Sequence, residues 1–294
     1  MTIAPAAPGK ALPPELQRAL SKVTDIGSLP EITTRVMELV EDPDATVRDM
    51  HALIQRDPAL AAKILRVVNS AFYGLPAQVG SLERAVTMLG LTAVKNLALS
   101  ASLGHMFKAE QLSTQFTVRD LWRHSVAVAV CARALAGLGR AAPPDEAFLA
   151  GLMHDIGLLV EQQLFSEKLR NIIDLCTSES TEFCELERRE LGADHQAFGG
   201  AIALKWKFPP LLHRAIAYHH EPTLLQPEFQ RIAVVVHVAD NLCCARRYGF
   251  WLPPPAAGSA EALLSLIHVA PEQMAALGEE LDERVAEAER VFAS

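Results

Sequence analysis

Five of the chain's ten histidines fall in an ordered series with two aspartates: His124, His154-Asp155, His195, His219-His220 and Asp240. Imidazole nitrogen and carboxylate oxygen are the ligand types for Zn, Mn, Fe, Ni and related divalent ions, and such a set needs no thiolate. Adjacent pairs such as His154-Asp155 point apart around a helix, yet both reach one ion when the helix ends against it. A lone histidine is more often a satisfied core or surface group, and His51, His105, His213, His237 and His268 are read that way. The ordered series fits that bland reading poorly. Ion binding is the chemistry these residues offer.

Bringing seven such residues to one spot requires helices, and the apolar spacing supplies them. Ile32, Val36, Leu39 and Val40 form one helical face, broken at Asp42-Pro43-Asp44. Thr46 with Asp49 reads as a capping box, Asp57-Pro58 as an N-cap followed by proline at the first helical position, and Ser81 as a further cap. Gly90 closes the helix that Ser81 opens, and one more runs from Thr92 to about Phe107. A polar stretch around 108–117 separates this region from a second one. There a long helix carries Trp122, Val126, Ala129, Val130 and Arg133 and ends at Gly137 and Gly139. The next starts at Pro143-Pro144-Asp145 and stops at Gly157. Further helices fit 160–176, 196–206, 209–219 and 229–247. Pro253–Gly258 reads as a linker, and Glu261–Ala293 as one or two polar, peripheral helices. Strict alternation is absent, so the fold class is all-α.

Composition narrows the function. The chain has 294 residues, half of them apolar and 21% charged, with a net charge of −8. That is ample for a packed core and rules out a disordered chain. The acidic balance sets nucleic acid aside as a partner, because backbone binding needs clustered Lys and Arg. No apolar run reaches the roughly 18 residues that cross a bilayer, and Met1–Gly9 lacks the pattern of a secretory signal. Five cysteines without a C-x-x-C suit neither a disulfide framework nor a zinc-thiolate site. The expectation is a soluble, cytoplasmic protein with no membrane partner.

Three weaker motifs are set aside. Ser81–Leu99 reads helix, Leu89-Gly90-Leu91, helix, but a DNA-reading helix needs more polar donors than Lys95 and Asn96. Gly137–Gly139 lacks the lysine and the strand of a phosphate loop. Cys243-Cys244 are adjacent on a helix, point about 100° apart, and are read as core and boundary residues.

The phrase "AGLMHDIG" at 150–157 resembles the signature of the HD superfamily of metal-dependent phosphohydrolases. Its surroundings are more specific. "DPALAAKILRVVNSAFYG" at 57–74, "SLERAVTMLGL" at 81–91, "LWRHS" at 121–125, "DHQAFGGAIALKW" at 194–206 and "AIAYHHEP" at 215–222 together resemble an HDOD domain, the HD-related output domain of bacterial signalling. The similarity spans about residues 20–247. It implies an N-terminal helical bundle packed on an HD-like bundle. The corresponding division is a loose tail at 1–14, an N-terminal helical subdomain at 15–110, the HD-like subdomain at 118–250 and a C-terminal helical extension at 258–294.

The resemblance also implies roles. Positions matching His124, His154, Asp155 and Asp240 bind one ion in the superfamily. Those matching His195, His219 and His220 serve a second ion in the related HD-GYP phosphodiesterases, with Asp155 as the bridge. Those enzymes carry a lysine after the HD-I-G run and a D-G-x-G-Y-P loop after the paired histidines, which help hold the substrate phosphate. Here those places hold Leu158 and Glu221-Pro222-Thr223. The expectation is therefore a regulatory module that acts on signalling proteins in trans, holds a divalent Fe, Mn, Zn or Ni ion, and has no catalytic residue. The alternative is a metal-dependent phosphohydrolase whose ions polarise a phosphoryl oxygen and generate hydroxide. Of the cations near the motifs, Arg123 and Lys205 could help bind an anion. With Arg133, Lys207 and Arg214 they are read as solvated surface.

Overall fold

The computed structural model describes residues 12–21, 31–42, 44–70, 73, 75, 77–107, 110–179, 181–252 and 258–292. Most of the tail at 1–14 and the linker segment after Leu252 lie outside these. All regular elements among the described residues are helices: α1 (Pro14–Ser21), α2 (Glu31–Glu41), α3 (Val47–Ile54), α4 (Pro58–Val68), α5 (Leu82–Leu89), α6 (Leu91–Leu103), α7 (Val118–Gly139), α8 (Pro144–Met153), α9 (Ile156–Glu179), α10 (Phe183–Leu191), α11 (His195–Lys205), α12 (Pro210–Tyr218), α13 (Pro227–Ala245), α14 (Ala260–Leu266) and α15 (Pro271–Phe292). One isolated bridge, Gln111 to Thr117, is the extent of extended pairing among them.

The helix starts follow the local signals. Thr46 and Asp49 make a reciprocal capping box on α3, Asp57 accepts from the Leu60 amide, and Ser81 accepts from the Arg84 amide. Thr117 and Asp120 make a second capping box, which opens α7. Each satisfies backbone donors that a helix start leaves without partners.

Two compact units emerge. One holds α2 to α6 and the chain from Glu280 onward; the other holds α1, α7 to α14 and the start of α15. In the first, α2, α4 and α5 pack on α6. The α6 residues Ala93, Val94, Leu97, Ala98, Leu99 and Leu103 are buried, and so is Asn96, one of the two polar groups that DNA reading would have needed. In the second unit α7 is central and packs on α8 and α13, while α9 packs on α10 and α11, and α12 on α11 and α13. The α7–α8 pairing is very close: a Cβ on Gly151 would lie 2.8 Å from the Ala129 Cα.

The structure departs from the sequence reading in several places. The helix expected to stop at Gly157 ends at Met153, and α9 starts at Ile156 and runs through Gly157. His154 and Asp155 therefore occupy a corner between two helices. Gly137 lies inside the last turn of α7 rather than ending it, while Gly139 is the helix's last residue as expected, before Arg140 turns left-handed at φ 50°. Two helices, α1 and α10, were not expected. The stripe of α10 contains a buried glutamate among Phe183, Leu186 and Leu191, so the segment reads as polar. α15 is not simply peripheral, since Leu277, Leu281, Val285, Ala288 and Val291 are buried along one face.

Candidate metal centre

All seven residues of the ordered series come together in the second unit, and none is more than 6% exposed. They arrive from five helix segments. His124 is on α7, His154-Asp155 forms the α8–α9 corner, His195 opens α11, His219-His220 follows α12, and Asp240 is on α13.

Asp155 divides the cluster in two. Its Oδ2 faces His154 Nε2 at 3.2 Å and His124 Nε2 at 3.9 Å. Asp240 Oδ1 completes this half, 3.1 Å from His124 Nε2 and 4.0 Å from His154 Nε2. Asp155 Oδ1 faces the other half, 3.5 Å from His195 Nε2 and 3.6 Å from His219 Nε2. His195 Nε2 in turn lies 3.2 Å from His219 Nε2 and 3.0 Å from His220 Nε2. In each half, three or four ligand atoms lie within 4.8 Å of one another.

Backbone carbonyls set the tautomers. His154 Nδ1–H donates to the Gly151 carbonyl at 2.7 Å, and His219 Nδ1–H to the Ile216 carbonyl at 2.8 Å. A carbonyl only accepts, so in the neutral rings both Nε2 atoms carry lone pairs. His195 Nδ1 is held by the Glu187 carboxylate at 2.8 Å, which leaves its Nε2 in the same state. Lone pairs thus face one another and two carboxylates inside a buried pocket. Neither His154 Nε2 nor His220 Nδ1 has a hydrogen-bond partner among the described residues. Imidazole nitrogens held by outer groups and turned inward on carboxylates fit a divalent cation, with Asp155 able to serve two.

The electrostatics agree. Burial drives the His219 pKa down to about 4, with His154 and His195 adding to the effect, and burial also lowers that of His220 well below its ordinary value. Both rings are neutral ligands at physiological pH. Burial opposes charge on Asp155, but His154, His219 and His195 outweigh it and keep the carboxylate ionised. His154 differs: burial disfavours its charge, yet Asp155 and then Asp240 outweigh burial and raise its pKa above the ordinary imidazole value.

Several supporting residues escaped the sequence reading. Asp194 caps α11 by accepting from the Ala197 amide at 3.0 Å and pairs with Arg188 at 2.7 Å, which places His195 in the first turn. Gln196 accepts from the His220 amide at 3.0 Å, tying α11 to the end of α12. The buried His237 donates Nδ1–H to the His219 carbonyl at 2.7 Å, in keeping with a satisfied core histidine. The Cys244 thiol lies 3.3 Å from Asp240 Oδ1. Glu187 carried no sequence signal beyond its placement eight residues before His195. The side chain of His105 lies outside the described residues.

The nearby cations are engaged elsewhere or exposed. Arg133 pairs with Asp145, Arg214 stacks on the Phe229 ring, and Arg123, Lys205 and Lys207 are exposed. Leu158, where the HD-GYP enzymes have lysine, is buried in the core. No described helix is long and apolar enough to cross a membrane.

An all-helical unit enclosing a two-part His/Asp centre defines the class of this protein. The HDOD domain matches residues 26–222, and the chain belongs to the HDOD family. A crystal structure of an HDOD domain protein of unknown function from Geobacter sulfurreducens is 25% identical, covers 95% of this chain and 98% of its own, and superposes with a TM-score of 0.79. A protein from Marinobacter aquaeolei VT8, provisionally described as a signal transduction protein, shares the fold at 24% identity and a TM-score of 0.74, over 95% of this chain and 61% of that one. An uncharacterized protein of Treponema pallidum (strain Nichols) is 26% identical over 220 residues, or 74% of this chain. The matched region is 42% of that relative's length.

Proposed function

We propose that this chain is a non-catalytic signalling output module that holds divalent metal in its helical core and acts on protein partners in trans. The observation that carries the metal-binding part is the inward convergence of His154, His195 and His219 nitrogens on the two oxygens of Asp155, with His220 Nε2 grouped beside them against His195. His124, His154, Asp155 and Asp240 hold one ion; Asp155, His195, His219 and His220 hold a second. Fe, Mn, Zn and Ni all suit such a nitrogen and oxygen set. A bound ion supplies positive charge and Lewis acidity, and it cross-links five helix segments. The chain's own residues orient the ligands and exclude water. They do not grip a phosphate, since Leu158 is buried and the nearby cations are paired, stacked or exposed.

The absence of turnover is tested with the metal-loaded protein and cyclic-di-GMP. No hydrolysis is expected. Retention of the complete ligand set favours the second reading, a metal-dependent phosphohydrolase. Metal-dependent turnover that disappears in Asp155→Ala would establish that reading and end the first.

A further inference from the structure

Of the two adjacent buried cysteines on α13, Cys244 is the one that shares a face with Asp240, one helical turn earlier. Its sulfur lies 3.3 Å from Asp240 Oδ1, the oxygen that also faces His124 Nε2 at 3.1 Å and His154 Nε2 at 4.0 Å. A nitrogen of His124, a carboxylate oxygen of Asp240 and the Cys244 sulfur all lie within 4.8 Å of one another. An ion bonded at about 2.0–2.3 Å gathers its ligand atoms from such a space. His154 Nε2, fully buried and turned to the same Asp240 oxygen, has no hydrogen-bond partner among the described residues. An ordinary core cysteine packs as a small apolar group. This one sits among nitrogen and oxygen ligand atoms.

The segment 248–252 braces two members of the group. His124 Nδ1–H donates to the Tyr248 carbonyl at 3.3 Å, and the Leu252 carbonyl lies 3.2 Å from the Cys244 sulfur. Gly249 makes this approach possible. At φ 62°, a Cβ there would overlap the Asp120 carbonyl oxygen and lie 2.7 Å from the His124 backbone nitrogen. The buried Phe250 donates its amide to the same Asp120 carbonyl at 3.0 Å, which anchors the segment to α7.

We propose that Cys244 is a further metal ligand, which gives the His124 half a sulfur beside its nitrogens and oxygens. The inference rests on the reading of the cluster as a metal centre and adds a residue that the seven do not include. On binding, the S–H proton leaves to solvent and the sulfur bonds the ion as thiolate, the form in which cysteine ligates. Thiolate is a soft ligand that suits Zn²⁺, whereas Mn²⁺ suits oxygen. The two halves therefore differ in chemistry, the His124 half preferring Zn²⁺. Cys184 is grouped with His195 only together with Glu187, which holds the Nδ1 side of that ring.

The metal-free full chain is titrated with Co²⁺, whose spectrum reports its ligands, and bound cobalt is counted by elemental analysis. Sulfur bonded to Co²⁺ gives an intense near-ultraviolet charge-transfer band that nitrogen and oxygen ligands do not. The band is expected in the wild type, retained in Cys184→Ser and Cys243→Ser, and lost in Cys244→Ser. A residue that merely packs would not move it. X-ray absorption of the Zn²⁺-loaded wild type should show a sulfur neighbour at ~2.3 Å. If Cys244→Ser fails to fold, that signal decides, measured in the wild type and in the other two variants. Cobalt bound without the band, or a band that persists in Cys244→Ser, overturns the proposal and leaves the metal reading standing. A wild type that binds neither Co²⁺ nor Zn²⁺ removes the metal reading and this proposal with it.

Discussion

The backbone carbonyl of His195 sits where a side chain on Gly157 would have to go. A Cβ there would overlap the His195 carbonyl oxygen and lie 2.7 Å from its carbon. The start of α9 and the start of α11 can approach this closely because position 157 is glycine, and that approach brings His195 to Asp155. Backbone cannot step aside as a flexible side chain can. Gly157→Ala is therefore expected to cost at least ~2 kcal/mol by overpacking. It should also weaken binding at the His195 half. Denaturant unfolding and metal counting on the same sample check both.

Metal removal should lower stability. Ligands arranged only in the folded chain make binding free energy into folding free energy. Treatment with a chelator is expected to lower the melting temperature, and added Mn²⁺ or Fe²⁺ to restore it. His154→Ala should lose the ion of the His124 half, while Asp155→Ala should lose both, because its two oxygens face different halves. An unchanged melting temperature with chelator, together with no stoichiometric metal after incubation with excess ion, contradicts this expectation.

The cap of α11 is a separate test of ligand placement. Asp194 is buried, accepts from the Ala197 amide and pairs with Arg188. Asp194→Ala removes the cap and leaves a helix start unsatisfied beside His195, at a cost of about 1–2 kcal/mol. Asp194→Asn keeps the accepting oxygen and should recover part of it. Thermal melts of the three metal-free proteins make the comparison.

One pH effect is expected away from the cluster. His213 is half-buried, and burial first, then the charge of Arg214, lowers its pKa. The unfolded chain titrates near ~6.5, so below that value it takes up a proton that the folded chain resists. The contribution of His213 is thus fully present above ~6.5 and is lost as the pH falls through it. His213→Asn should reduce the stability difference between pH 7.5 and pH 5.5, read from denaturant midpoints. An unchanged difference refutes it.

The sequence was most legible where an interaction spans three or four residues. Thr46 with Asp49, Asp57 before Pro58, and Ser81 all cap the helices that their spacing announced. α10 was hidden because its inner face carries Glu187, a charged residue that pattern reading assigns to solvent until its partner His195 is known. Gly157 read as a stop because glycine ends many helices, and nothing local says that another backbone needs the space.

The sequence by itself determined the all-helical class, the helix starts and the seven residue types able to hold a cation. Those follow from backbone donors, apolar periodicity and side-chain chemistry, all of which act within a few residues. Only the tertiary structure decided that His124 meets Asp240 across 116 positions and that Asp155 turns one oxygen to each half. Such pairings depend on how helices distant in the chain bury their faces against one another, and no local pattern encodes that.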